Sequence, residues 1–273
     1  MPELPEVETF VRSLKQGGMT GEPILDRRIK SADLFWNRTL AFSDAEEGFL
    51  PWFSGKAIMD ITRRGKFIVF SIPPKSMLIH LRMSGDIRVE WEENQPPQKH
   101  DRFLMHFSDG FRMAFNDTRK FGRIWLTDSP EVFLQQLGIE PLSAAFTANW
   151  FKEHLNSKKT MIKALLLDQS FIAGLGNIYT DEALFLAGIN PRRRACDLTG
   201  TEIGKLTESI KAVLQTGIKQ NGASIDRVYR GGNFQNHFQV YQCTGKPCPV
   251  CGTLIEKISV HQRATHYCPN CQQ

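Results

Sequence analysis

A chain of 273 residues with 41% hydrophobic and 23% charged side chains has the composition of an ordinary soluble globular protein, which sets aside disordered and fibrous classes. No apolar run approaches the roughly 20 residues a bilayer span needs, and no basic stretch followed by an apolar one marks a secretory leader. The net charge of +5 is unevenly placed: residues 1–150 carry 19 Lys+Arg against 20 Asp+Glu, and residues 151–273 carry 15 against 9. An anionic partner is therefore expected on the second half, the plain alternative being a basic surface kept for solubility. The length suits two domains and a small module.

The chain opens MPELPEVETF. Removal of Met1 would leave Pro2 with a free secondary amine and the Glu3 carboxylate one residue away, the equipment of covalent carbonyl chemistry. The competing reading is a plain helix start with Pro5 at its first position. Val7, Phe10, Val11 and Leu14 recur at i, i+3, i+4 and i+7, so a helix follows at once and ends at Gly17-Gly18. From Gly55 to Asp128 the texture is that of strands: KAIMDITRRGKFIVFSI, SMLIHLRMSGDIRVEW, DRFLMHFSDGFRMAFND and GRIWLTD, parted by Pro73-Pro74, Ser84-Gly85 and Asp109-Gly110. Consecutive strands of this kind predict an antiparallel sandwich or barrel. RRGK at 63–66 reads as a basic cluster inside a strand, either a solvated face or a phosphate clamp. Met83 in MSG and Phe121 in DTRKFGR either point inward as core or stand out as wedges able to unstack bases, with Arg119 beside Phe121. SPEVFLQQLG then starts a helix with Ser129 as its cap.

The stretch from about 150 to 222 reads as helical. One helix ends near Gln169, AGLGN makes a glycine turn, and Asn177 can cap the next helix. That turn, beside Lys163 and the positive surplus, is either a plain connection or a phosphate site at a helix N-terminus. Ile203, Leu206, Ile210, Val213, Leu214 and Gly217 trace one face of a long amphipathic helix closed by Asn221-Gly222. Near the end, CPVC and CPNC place Cys248, Cys251, Cys268 and Cys271 in a CxxC–x16–CxxC pattern. In a reducing compartment this is the spacing of a zinc ribbon, and four thiolates leave no position for water, so the ion is structural. Gly252 suits the knuckle turn, while Cys196 and Cys243 read as plain thiols.

MPELPEVET, RRGKF, HLRMSG, KHD, DTRKFGR, IKALLLDQ, AGLGNIYTDEALF and the paired CxxC motifs occur in that order across nearly the whole chain. Together they closely resemble the bacterial formamidopyrimidine-DNA glycosylase family, whose members excise 8-oxoguanine and ring-opened purines. The resemblance implies an α+β multidomain fold: an N-terminal β-sandwich catalytic domain over 1–135, a helix–two-turn–helix domain over 136–235 and a zinc ribbon over 236–273. It implies Pro2 as the nucleophile and Glu3 as the proton-handling carboxylate, with Lys66 and Arg263 assisting. Met83, Arg119 and Phe121 are implied to fill the hole left by an extruded nucleotide, Arg119 facing the orphaned cytosine. His100, Asn177, Lys163 and Arg263 are implied DNA contacts, and Glu6 and Ser224 lesion contacts. One structural zinc and no catalytic metal or organic cofactor are expected, in a monomer that binds damaged duplex DNA in the bacterial cytoplasm.

The segment NGASIDRVYRGGNFQNHFQVYQCTGKPC departs from the family pattern. Ser224 is kept in kind, Asp226 stands where a basic residue is usual, and Gln242-Cys243 replaces a glycine. These changes touch lesion choice rather than the nucleophile. The alternatives are an endonuclease VIII-like glycosylase preferring oxidised pyrimidines, which usually begins PEGPE where this chain has PELPE, and a non-catalytic lesion-binding zinc protein.

Overall fold

The computed structural model describes residues 1–93, 95–225 and 231–273. Its contacts divide the chain into two units, Met1–Gln135 with Ala223–Gly232, and Gln136–Gly222 with Asn233–Gln273.

The first unit begins with α1 (Leu4–Gln16), whose N-cap is Glu3 and whose second residue is Pro5, one place later than the sequence suggests. The expected apolar stripe is buried, and Gly17 at φ 82° ends the helix. Nine strands follow among the described residues: β1 (Ile29–Leu34), β2 (Leu40–Ser43), β3 (Asp60–Arg64), β4 (Phe67–Ile72), β5 (Lys75–His80), β6 (Gly85–Trp91), β7 (Asp101–Phe107), β8 (Phe111–Asp117) and β9 (Arg123–Thr127). They form a four-stranded sheet, β1-β7-β8-β6, and a five-stranded sheet, β2-β9-β5-β4-β3. Every pairing is antiparallel except β2 with β9, which is parallel. Phe103, Met105, Met113 and Phe115 of the first sheet share one core with Ile68, Phe70, Ile79 and Ile124 of the second and with Val7, Phe10 and Leu14 of α1. This is the expected sandwich. Each long strand-rich segment of the sequence holds a hairpin or a crossing: the basic RRGK cluster is not inside a strand, since Arg64 pairs with Phe67 and Gly65-Lys66 form the turn between β3 and β4. Gly65 takes the left-handed conformation that this turn requires. β5 and β6 lie in different sheets, so Leu81–Ser84 carries the chain from one to the other. The helix expected after Ser129 is a single turn, α2 (Glu131–Leu134), capped by Pro130.

The second unit holds α3 (Ala148–Leu155), α4 (Ile162–Leu167), α5 (Asn177–Ala187) and α6 (Gly200–Lys219), followed by the hairpin β10 (Glu256–Val260) and β11 (Arg263–Tyr267). Thr199 and Glu202 form a capping box that starts α6, and all six residues of its expected stripe are buried. Gly217 is required there, because a Cβ would lie 2.5 Å from the Tyr179 ring of α5. Between α4 and α5, Gln169 accepts the Gly174 N–H (3.0 Å) and donates to the Leu175 carbonyl (2.7 Å), which fixes the two-turn connection. No helix among the described residues is long and apolar enough to cross a membrane.

Candidate active site and nucleic-acid interface

In the first unit Met1 is half exposed while Pro2, Glu3 and Glu6 are buried. Glu3 and Glu6 reciprocate as a capping box, with the Glu3 N–H donating to Glu6 Oε2 at 2.7 Å. The other Glu6 oxygen accepts the Ala223 N–H at 2.8 Å, from a residue 217 positions away. The chain terminus is thus fastened at a helix N-terminus, where the dipole favours the two carboxylates as anions. Glu6 spends both oxygens on backbone donors, which ties the segment carrying Ser224 to the terminus. Ser224 accepts the Gly232 N–H through Oγ (2.9 Å), and Asp226 lies outside the described residues.

Lys66 is 4% exposed on its hairpin turn, and next to it in register Phe67 pairs with His80 of β5. Burial pushes the His80 imidazolium down to about 3, and the nearby positive charges of Arg82 and Lys66 push the same way. Sequence reading did not single out His80; its signal was only its place in HLRMSG. Met83 and Phe121 are 38% and 46% exposed, so neither is core. The Arg119 guanidinium lies over the Phe121 ring at 5.0 Å. The residues preceding Met83 and Phe121, Arg82 and Lys120, both hold positive φ (54° and 62°), a strain typical of turns that present function. His100 is half-buried with its ring near Arg102 (3.3 Å).

In the second unit the zinc motif folds as its spacing predicts. The Sγ atoms of Cys248, Cys251, Cys268 and Cys271 lie within 4.8 Å of one another, with Cys248–Cys271 at 3.8 Å and Cys251–Cys268 at 3.5 Å. Thiolates about 2.3 Å from a tetrahedral zinc stand about 3.8 Å apart, so the cluster fits that ion. Hydrogen bonds from Thr253 and Asn270 pull Cys251 down to about 5, while the shared proton with Cys251 pushes Cys271 up. Four thiolates packed this closely repel one another, and a divalent cation among them removes that repulsion. Gly252 turns the first knuckle at φ 75°, as expected. Arg263 stands exposed directly after the hairpin turn, where His261 and Gln262 both take positive φ.

Two expectations are corrected here. Asn177 does not cap α5; Gly176 does, and Asn177 is its first residue, donating through Nδ2 to the Ala264 carbonyl at 2.8 Å. Lys163 is not placed to touch DNA, for its side chain is fully buried. Its ammonium donates to Asp181 (2.6 Å), Thr265 (2.7 Å) and the Ala264 carbonyl (3.0 Å). Asp181 also accepts the His266 N–H at 2.9 Å. Lys163 and Asn177 therefore meet at the residue after Arg263 and hold the hairpin that presents it. Glu182, next on α5, accepts N–H groups from Gln239, Val240 and Tyr241, and burial pushes its carboxyl above the usual value. Sequence reading missed both acids, whose partners lie far along the chain.

Comparison with known proteins places these features. Residues 1–124 match the formamidopyrimidine-DNA glycosylase N-terminal domain, 137–228 the formamidopyrimidine-DNA glycosylase H2TH domain, and 245–273 the zinc finger found in FPG and IleRS. The formamidopyrimidine-DNA glycosylase of Protochlamydia amoebophila is 42% identical, with 100% of both chains covered, and that of Chloroflexus aggregans is 42% identical over 100% of this chain and 98% of its own. Among solved structures, Lactococcus lactis Fpg (MutM) bound to DNA containing an oxidised pyrimidine superposes with a TM-score of 0.90 at 38% identity, each chain covered in full. MutM bound to DNA containing carbocyclic 8-oxo-G gives 0.90 at 39%, again over both whole chains. With all three modules matched in order and relatives aligned from end to end, the chain belongs to the formamidopyrimidine-DNA glycosylase family.

Proposed function

We infer that the protein is a bifunctional DNA glycosylase and abasic-site lyase of base excision repair, acting on oxidised purines in duplex DNA. Family membership over the whole length supports the reaction, and the observation that carries the chemistry is the fastened terminus, with Pro2 and Glu3 buried at the start of α1 beneath an exposed Met1. With Met1 removed, the neutral Pro2 amine attacks C1′ of an extruded deoxynucleotide and the base departs with a proton. Glu3 handles the proton at the sugar ring oxygen as the ring opens to a cationic Schiff base. The cation acidifies the C2′ proton, and β- then δ-elimination break the strand on both sides. Lys66 assists beside the lesion. Met83, Arg119 and Phe121 fill the vacated stack, while His100, Asn177 and Arg263 serve the backbone. Glu6 and Ser224 shape the lesion side, and Arg263 also assists strand cleavage. Modules over 1–135, 136–235 and 236–273 divide this work, the last held by one structural zinc. Chromosomal DNA as the substrate implies a bacterial cytoplasmic enzyme working at the nucleoid, as a monomer.

Borohydride trapping on an 8-oxoguanine:cytosine duplex tests the reading. The parental protein should give a covalent adduct through Pro2, while Pro2→Gly and Glu3→Gln should lose base release and still bind the duplex. Full excision by either variant would remove the assignment. Faster excision of thymine glycol than of 8-oxoguanine would move the protein to the pyrimidine-preferring branch.

A further inference from the structure

The two turns that bear Met83 and Arg119–Phe121 come from different parts of the chain, yet one carboxylate joins them. Asp117 is 1% exposed and Ser84 is 4% exposed. Asp117 Oδ1 accepts the Ser84 hydroxyl and the Arg119 N–H (3.1 Å), and Oδ2 accepts the Gly122 N–H at 2.7 Å. The Arg119 N–H also reaches Ser84 Oγ at 3.2 Å. One side chain therefore closes the DTRKFG loop at both ends and bonds it to the residue after Met83.

The backbone of Asp117 extends the same link. Its N–H donates to the His100 carbonyl (2.9 Å) and its carbonyl accepts Arg102 Nε (2.8 Å). In the sheet, Asp117 stands opposite Gly85. Gly85 and Gly122 both lie against the Phe115 ring: a Cβ at Gly85 would come within 2.9 Å of it, and one at Gly122 nearer still. The two turns thus close on one buried ring with a buried acceptor between them, and no side chain larger than glycine fits at either position.

We propose that Asp117, acting with Ser84, is a positioning residue that locks the Met83 turn and the Arg119–Phe121 turn into one rigid wedge platform, on which displacement of the damaged nucleotide and reading of the opposite base depend. This rests on the inferred role of Met83, Arg119 and Phe121 as fillers of the vacated stack. A wedge must push against stacked bases without folding back, and exposed side chains on separate turns do so only if their backbones cannot move independently. Asp117 itself touches no nucleic acid in this account. It acts through three donors, and only an anion with two acceptor oxygens serves all of them.

Asp117→Asn keeps the size and turns one acceptor into a donor; Ser84→Ala removes the bridge and leaves the carboxylate. Amide hydrogen exchange reads the platform without needing activity: Asp117→Asn should speed exchange at Ser84–Gly85 and at Arg119–Gly122 together, leaving β4 and β5 as they were. Excision reads its use. Misplaced wedges should slow 8-oxoguanine release opposite cytosine on the order of tenfold to a hundredfold. They should also flatten the difference between cytosine and adenine as opposite base, while cleavage of a preformed abasic site in single-stranded DNA keeps its parental rate. Ser84→Ala should move every readout the same way by less, and carries the test if Asp117→Asn fails to fold. Parental exchange at both turns in the folded variants overturns the proposal, as does an equal loss of single-stranded abasic cleavage. Faster exchange in the variants alongside a parental protein without excision would keep the platform and sink the glycosylase reading.

Discussion

His80 accepts the Arg82 N–H through Nδ1 at 3.0 Å, which requires that nitrogen to be unprotonated. With its imidazolium pushed down to about 3 by burial first and by Arg82 and Lys66 next, the ring beside Lys66 stays neutral across the working range. A neutral ring adds no second positive charge beside Lys66, whose proposed place is next to the lesion. Its imidazole carbon-bound proton signals should stay fixed from pH 8 to pH 5 in an NMR titration; a midpoint near 6.5 would refute this. A histidine whose folded value is depressed gives full stability above 6.5 and loses it as pH falls toward 3, because the unfolded chain takes up the proton first. At this scale the sequence shows residues whose meaning is local. The four cysteines announce themselves by spacing, whereas PELPE by itself reads as an ordinary helix start, and only the family resemblance singles out Pro2 and Glu3. Asp117, Asp181 and Glu182 do not announce themselves, since each matters through donors 33, 85 and 57 residues away. Lys163 misled for the same reason: beside a glycine turn it reads as an anion ligand, and only the folded chain brings Thr265 and Ala264 to its ammonium.

Elements with a clear period were legible, and those without one were not. α1 and α6 carry their stripes and their terminal signals in sequence, and the structure keeps both nearly to the residue. β1 and β2 escaped because IKSADL and LAFS bury few positions and show no alternation. Within α6 the cap is also an electrostatic device. Glu202 accepts the Thr199 N–H at 2.7 Å and pairs with Arg193, whose hydrogen bond is the largest of the effects that lower its carboxyl to about 2. An acid with a depressed folded value contributes its stability above its ordinary 4.5 and loses it as pH falls toward 2. Both side chains are 27% exposed, so the pair is partly screened and the whole cap contributes about 1 kcal/mol or less. Glu202→Gln should lower the unfolding free energy read from urea titration at pH 7 by that amount, and the gap from the parental protein should close between pH 4.5 and 2. A gap that persists at pH 2 would show that the carboxylate charge is not what holds this helix start.

Across the whole molecule, charge and metal bear on the same question of how DNA is held. The basic surplus of residues 151–273 lies in the half that carries Asn177, Arg263 and the ribbon. The ribbon has little core of its own: Val240, Ile255, Cys248 and Cys268 cluster against Phe185 of α5, and two of these four ribbon residues are thiols of the metal site. Apolar burial on that scale does not hold some 40 residues together, so the ion must supply the difference. The hydrogen bonds described for Lys163, Asp181 and Asn177 hold the β11 side of the hairpin, near Ala264 and His266, whereas the four thiols bracket both strands. Loss of zinc should therefore free β10 and the Arg263 turn while α4, α5 and α6 stay folded. Chelation is expected to release one zinc per chain by mass spectrometry, to leave the helical circular dichroism nearly intact, and to weaken binding to a lesion duplex. With Arg263 on a phosphate, as proposed, the slope of log affinity against log salt should shrink by about 0.9 for each phosphate no longer neutralised, and Arg263→Ala with zinc retained should reproduce one such step. Metal-free protein that binds the duplex with parental affinity and parental salt slope would show that the hairpin needs no ion to present its arginine.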